Sequence, residues 1–195
     1  MGKFLPGMAA LLMLLLLVSY SHSDTTLISP KPEAVQEWME SHSQPNAKQK
    51  ITKLRFYFHD VVSGKNPTSV TVAQWNSSAT TPTLFGLVNV MDDPLTEGPR
   101  RDSKLVGWAR GMYTSASIEN LGLLMTLSFV FRDEHGSTIT VVGHNQILNK
   151  YREMPVVGGS GLYRLARGLV TARTVWLNVT TKDAVVEYNA VLLHY

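Results

Sequence analysis

The sequence predicts an all-β fold, an eight-stranded antiparallel β-barrel, on three observations. Short apolar or alternating runs recur from Ile51 to the C-terminus, turn residues punctuate them, and no long stretch carries helical periodicity. That succession fits a barrel or a sandwich. Apolar residues on both faces of many runs favour the closed barrel, with an apolar lumen and an outer wall able to pack on another subunit. An eight-stranded barrel is wide enough to hold one small ligand.

The first run sets the pattern. In residues 51–60, Leu54, Phe56 and Phe58 alternate with Arg55, Tyr57 and His59. Further strand-like runs span residues 69–75, 84–91, 105–113, 121–132, 138–148, 162–172 and 185–194. Turn signals separate them: Ser63-Gly64, Asp92-Asp93-Pro94, Gly98-Pro99, Asp133 to Gly136 and Lys182-Asp183. The segment REMPVVGGSGLYRLARG, from Arg152, stands apart. Its glycines Gly158, Gly159 and Gly161 predict either a tight turn or a close approach to a ligand.

The chain ahead of the barrel is of another kind. Lys3 followed by an apolar stretch from Met8 to Val18, with small residues Ser21 and Ser23 after it, reads as a secretory signal peptide over residues 1–23. That stretch is too short to span a membrane comfortably, and no later one approaches the roughly 20 apolar residues required, so a soluble, secreted protein with no membrane partner is expected. Residues 24–50 are polar and broken by Pro30, Pro32 and Pro45. Val35, Trp38 and Met39 would form one face of a short helix, but a mobile N-terminal arm is expected. Residues 51–195, within a mature chain of about 170 residues, suffice for one domain with a real core.

Composition removes several functions. The cysteine count is 0, so thiol catalysis and cysteine-ligated metals are excluded and packing must stabilise a secreted chain without disulfides. A formal charge of +3 with no long basic run gives nucleic-acid binding little support. Two sequons, Asn76-Ser77-Ser78 and Asn178-Val179-Thr180, are candidate glycosylation sites at Asn76 and Asn178, whereas Asn66 is blocked by Pro67.

Known catalytic patterns fare no better. Gly158 to Gly161 lacks the Lys-Ser/Thr ending of a phosphate loop, and Leu162 stands where a nucleophile elbow at Ser160 would need glycine. The histidines of the mature chain, His42, His59, His135, His144 and His194, show no metal-ligand spacing. No metal, flavin, nucleotide or haem cofactor is expected. His59 and Asp60 are adjacent, but neighbouring strand residues face opposite ways and should not meet. If alternation holds, Asp60 shares the apolar face of Phe56 and Phe58, where burial would raise its pKa. From alternation alone a turn-capping role for Asp60 weighs more. Tyr113 reads as rim packing or a phenol offered to a ligand, and Arg152, Arg164 and Arg167 as surface charges or anion contacts.

Together the motifs resemble the dirigent proteins of plants: FYFHD from Phe56, FGLVNVMDDPLTEGP from Phe85, SKLVGWARGMY from Ser103, GSTITVVGHN from Gly136, REMPVVGGSGLYRLARG from Arg152 and VVEYNAVLLHY at the C-terminus. The resemblance covers about Ile51 to Tyr195. It implies a barrel of the dirigent and allene-oxide-cyclase-like kind, secreted to the apoplast, commonly a homotrimer, acting on small phenolic (phenylpropanoid) substrates. Such proteins guide phenoxy radicals, made by a separate laccase- or peroxidase-type oxidase, into stereoselective lignan coupling. A second branch, the pterocarpan synthases, closes a ring through a quinone methide by dehydration.

Residue by residue, the resemblance implies acid–base assistance for Asp60, which reverses the turn reading. It implies pocket roles for Tyr113 and Arg152. It also exposes two departures. Lignan-forming members carry an aspartate where this chain has Asn145, and asparagine transfers no proton at ordinary pH. They also join the first strand to the C-terminus by a disulfide, near the positions of Ile51 and His194 here. These departures set the chain outside the lignan-forming clade and are compatible with the pterocarpan-synthase branch. The radical-coupling guide ranks first on the breadth of the family, the cyclising dehydratase second, and a non-catalytic phenolic- or wall-binding protein third.

Overall fold

A computed structural model describes residues 29–195. The expected signal peptide, and the first residues of the expected arm, lie outside the described residues. The chain divides into two compact units between Ala47 and Lys48.

The first unit carries a helix where a mobile arm was expected: α1, Pro32–His42. Pro32 sits at its first position, where a missing N–H costs nothing, and Glu33 in the first turn complements the helix dipole. Trp38 is buried and stacks on His42 with ring centroids 4.2 Å apart. The proline-rich composition argued for disorder, but the spacing that places Trp38 and His42 one turn apart outweighs it.

The second unit is the barrel. Its strands are β1 (Lys50–Asp60), β2 (Ser69–Gln74), β3 (Leu87–Thr96), β4 (Leu105–Ser115), β5 (Gly122–Phe131), β6 (Thr138–Gln146), β7 (Arg152–Ser160), β8 (Arg167–Leu177) and β9 (Ala184–His194). All pairings are antiparallel, in the order β1-β9-β8-β7-β6-β5-β4-β3, and the ring closes where β1 meets β3 at Tyr57↔Thr96 and Phe58↔Leu95. The short β2 takes over the same edge of β3 lower down, from Ser69↔Met91 to Gln74↔Leu87. Nine strands therefore make eight staves, β1 and β2 sharing one.

Two parts of the sequence reading are corrected here. The glycine-rich segment turns only at Gly161, with φ of 61°: Arg152 to Ser160, with Gly158 and Gly159, forms the whole of β7, the eighth stave that the sequence reading had given to residues 69–75. Asp92-Asp93-Pro94 is no turn either, since β3 runs through it, paired with β4 as Asp93↔Ala109 and Pro94↔Trp108. The amide of Asp92 donates to Thr68 O at 2.9 Å, on the side away from β4. Alternation points the nitrogen of Pro94 to that same side, where the ladder passes from β2 to β1 and no donor is needed.

Aromatic packing fills the middle of the barrel. Phe129 meets Phe56 edge-on with ring centroids 4.9 Å apart and Tyr188 at 5.1 Å, and Leu127, Ile139, Val170 and Leu192 close around them. Each such buried side chain contributes about 1.5–3 kcal/mol relative to exposure. Without a disulfide, β1 and β9 are held by an unbroken ladder from Lys50↔His194 to Asp60↔Ala184, and His194 Nε2 lies 2.8 Å from Thr52 Oγ1.

Candidate active site

One end of the barrel stays open. The ends of β1, β4, β6 and β8 and the starts of β3, β5, β7 and β9 surround a cavity of about 460 Å³. Its wall is largely apolar, with Phe58, Leu87, Leu123, Met125, Val186 and Tyr188 among the lining residues. Asp60, Tyr113, Asn145 and Arg152, the four pocket residues singled out in the sequence, all line this cavity. They come from four different staves, so only ring closure brings them together.

Asp60 is the last residue of β1 and keeps the face of Phe56 and Phe58. Burial pushes its carboxyl up to about 6, the nearby Asp183 carboxylate adds to the rise, and the hydroxyls of Tyr113 and Ser69 hold it back. A carboxyl titrating near neutrality can serve as both proton donor and acceptor. His59 turns the other way, as expected. Its Nε2 lies 2.7 Å from Thr96 Oγ1, and that hydroxyl donates to Gly98 O at 2.7 Å, so His59 Nε2 is the donor to it.

Tyr113 ends in a small polar network that the sequence reading missed. Asn89 Nδ2 donates to the Tyr113 hydroxyl at 2.7 Å, and Ser69 Oγ stands 3.1 Å from the same oxygen. Thr71 Oγ1 in turn donates to Asn89 Oδ1 at 2.9 Å, which fixes the amide orientation. With its oxygen accepting from Asn89, the phenol is left to donate toward Ser69 or Asp60. Burial and the charge of Asp60 raise the Tyr113 pKa, so the phenol keeps its proton.

Arg152 opens β7 and is buried, with desolvation lowering its pKa. Its Nε donates to Asn145 Oδ1 at 3.1 Å and its Nη1 to Asn149 O at 3.3 Å. Among the described residues no carboxylate forms an ion pair with it. The guanidinium therefore faces the cavity with neutral partners only, which suits it to an anionic or phenolic oxygen. Arg164 and Arg167 do not line the cavity.

The sequence reading also passed over Asp93. It is fully buried on β3, and burial together with the Asp60 charge pushes its carboxyl up to about 8. The signal was present: alternation from Leu87 continues through Asn89, Met91, Asp93 and Leu95 on one face. Reading Asp92-Asp93-Pro94 as a turn cut that series short. The sequons are placed differently from one another: Asn76 is exposed, and Asn178 lies between the cavity-lining Leu177 and Val179, its Oδ1 accepting from Thr180 N and Thr181 N at 3.0 and 3.1 Å.

Comparison with known proteins agrees with this architecture. Residues 51–193 match the family described as Dirigent-like protein. The chain is 50% identical to Dirigent protein 23 of Arabidopsis thaliana over 153 residues, covering 77% of this chain and 82% of that one. It is 48% identical to Pterocarpan synthase 1 of Glycine max over 150 residues, covering 75% of this chain and 81% of that one. The solved structure of the pterocarpan synthase dirigent protein GePTS1 superposes with a TM-score of 0.72 at 46% identity, covering 78% of this chain and 89% of that one.

Proposed function

The chain belongs to the dirigent family, and from that premise we propose that it closes a ring stereoselectively in a phenolic substrate by loss of water through a quinone methide. The observation that carries this reading is that one cavity holds Asp60, its one lining carboxyl among the described residues, whose burial pushes it up to about 6, together with Arg152, which has no carboxylate partner among the described residues. Radical coupling needs almost no activation, only orientation, whereas dehydration needs a proton given and taken back. The identity to pterocarpan synthases supports the same reading.

In this reading the substrate phenol binds as its phenolate against Arg152. Asp60 gives its proton to a benzylic hydroxyl, which leaves as water while the phenolate electrons move to form the quinone methide. A second hydroxyl of the substrate attacks the exocyclic carbon and returns its proton to Asp60, restoring phenolate and acid. The apolar wall fixes which face is attacked. A difference of about 1.4 kcal/mol between the two poses gives a tenfold product ratio.

The surroundings follow from the same premise. Val70, Val90 and Met112 form an exposed apolar row across β2, β3 and β4, joined by the pairings Val70↔Val90 and Val90↔Met112, and this row supports assembly as a homotrimer. The N-terminal sequence supports secretion to the apoplast, with Asn76 and Asn178 as glycan acceptors.

Chiral chromatography of products from a hydroxylated isoflavonoid panel and from a monolignol, with and without a one-electron oxidant, tests the proposal. Turnover of an isoflavonoid without oxidant, lost in Asp60→Asn, is the expected result. A stereochemical bias seen only with oxidant would replace it by radical guiding with an external oxidase. Neither effect, with phenolics still bound, would leave a binding protein.

A further inference from the structure

Among the described residues, three buried side-chain polar atoms lack a hydrogen-bond partner: His59 Nδ1, Asp60 Oδ1 and Asp93 Oδ2. Two of the three belong to carboxyls that the strand register sets side by side. β1 and β3 pair at Tyr57↔Thr96 and Phe58↔Leu95. Carried two residues further, the same register puts Asp60 opposite Asp93. Both keep the inward face, Asp60 with Phe58 and Asp93 with Met91 and Leu95. Asp60 reaches the cavity, while Asp93 is sealed behind the wall with no exposed surface.

The other oxygen of Asp93 is held. Thr68 Oγ1 donates to Asp93 Oδ1, and the amide of Val61 donates to that hydroxyl at 3.2 Å. The segment after Asp60 thus folds back and clamps Asp93 from the β2 side, leaving Oδ2 as its one unsatisfied atom. Two ionised carboxylates at neighbouring register positions would repel in a medium that screens them poorly, and two bare buried oxygens would each carry an uncompensated desolvation cost. One shared proton removes both penalties.

We propose that Asp93 is the proton-sharing partner of Asp60, a positioning residue that holds one proton between Asp93 Oδ2 and Asp60 Oδ1. The pair then carries a single negative charge over a wide range around neutrality. The neighbours that face it are few. Tyr113 and Tyr188 contribute neutral phenols, Arg152 and Lys182 are the cations that line the cavity, Asp183 is a carboxylate occupied by the Val62 and Ser63 amides, and Asp92 an outward carboxylate paired with Arg110. Arg152 donates to Asn145, and among the described residues no ion pair joins Arg152 or Lys182 to either member of the pair. Burial pushes Asp60 and Asp93 up to about 6 and about 8, in the order that leaves the sealed member protonated last to ionise.

This inference stands on the register and the two unsatisfied oxygens, so it survives whether or not the dehydratase reading does. Side-chain carboxyl carbons of aspartate, followed by NMR on the full chain from pH 4 to 9 without substrate, test it. The wild type should show two linked steps, each seen at both residues. In Asp60→Asn the Asp93 step should fall by about one pH unit or more, and in Asp93→Asn the Asp60 signal should collapse to one step. Thr68→Val, which removes the hydroxyl that donates to Asp93 and accepts from the Val61 amide, should move the upper step upward and serves if Asp93→Asn fails to fold. An Asp93 midpoint unmoved in Asp60→Asn, or an Asp93 already ionised at pH 6, would overturn the pair.

Discussion

Arg152 donates from Nε to the side-chain oxygen of Asn145 across the β6–β7 pair, a 3.1 Å bond from a cation to a neutral acceptor. The consequence is electrostatic. An aspartate at 145 would neutralise the guanidinium before any ligand arrived. Asn145→Asp should therefore weaken binding of a 4-hydroxyphenyl ligand about tenfold or more, the scale of one charge-assisted hydrogen bond of about 1.5–3 kcal/mol. Calorimetric titration above and below the pKa of the ligand checks it: the loss should be larger for the phenolate.

Tyr113→Phe separates packing from proton chemistry at the same site. The ring still fills its place, but the hydroxyl that lowers the Asp60 pKa is gone. The Asp60 midpoint should rise above about 6, visible in its carboxyl carbon shift. Asn89 Nδ2 loses its 2.7 Å acceptor and keeps only Ser69 Oγ at 3.3 Å, so stability should fall by about 1 kcal/mol in urea denaturation. A stability loss with no change in the Asp60 titration would assign Tyr113 to packing alone.

Much of this site was legible one stave at a time. Alternation offered Asp60 a place on the face of Phe56 and Phe58 but left a turn role weighing more, and the β1 period of two in fact runs without interruption to Asp60. Asp93 and Asn89 obey the same period, yet Pro94 beside two aspartates mimics a turn. Its missing donor is tolerated only because the β2 ladder ends at Met91 and the β1 ladder resumes at Leu95. That junction is a property of the closed ring, and no local window contains it. The β7 strand was hidden likewise by Pro155 and the paired glycines. The pocket positions of Arg152 and Asn145 rested on resemblance, and their contact was not foreseen, since pattern had left Arg152 at the edge of a glycine loop and not at the start of the strand that pairs with β6.

Acid should stabilise this fold over part of the pH range where most proteins are indifferent. Asp60 and Asp93 have folded-state pKa values raised above 3.8, to about 6 and about 8, so the native state holds protons that the unfolded chain releases. Their contribution is fully present below about 4 and is lost as pH rises through 6 and 8, on the order of a few kcal/mol in total. Asp183 and Glu187 are shifted downward and act only at more acidic pH. His59, whose pKa burial lowers from 6.5, works in the opposite sense below that pH, so the Tm should fall from about pH 6.5 to pH 8.5, and Asp93→Asn should flatten that slope. A flat wild-type profile across this window would mean that neither carboxyl is protonated in the native state near neutrality.

The paired glycines of β7 should respond oppositely to the same small change. A Cβ built on Gly159 lies 2.4 Å from Tyr163 O and 2.8 Å from Thr138 O, both backbone atoms that cannot move without disturbing the β6 ladder or the turn at Gly161–Tyr163. A Cβ on Gly158 meets nothing within 4 Å. Gly159→Ala should therefore cost about 1–3 kcal/mol through overpacking. Gly158→Ala should be neutral or gain a few tenths of a kcal/mol, since alanine has less freedom to lose on folding. Urea midpoints of the two variants decide the matter. Equal losses would mean that the pair serves one common turn-like role, whereas a loss at Gly159 alone identifies close backbone packing as the reason for glycine there and leaves Gly158 unconstrained by space.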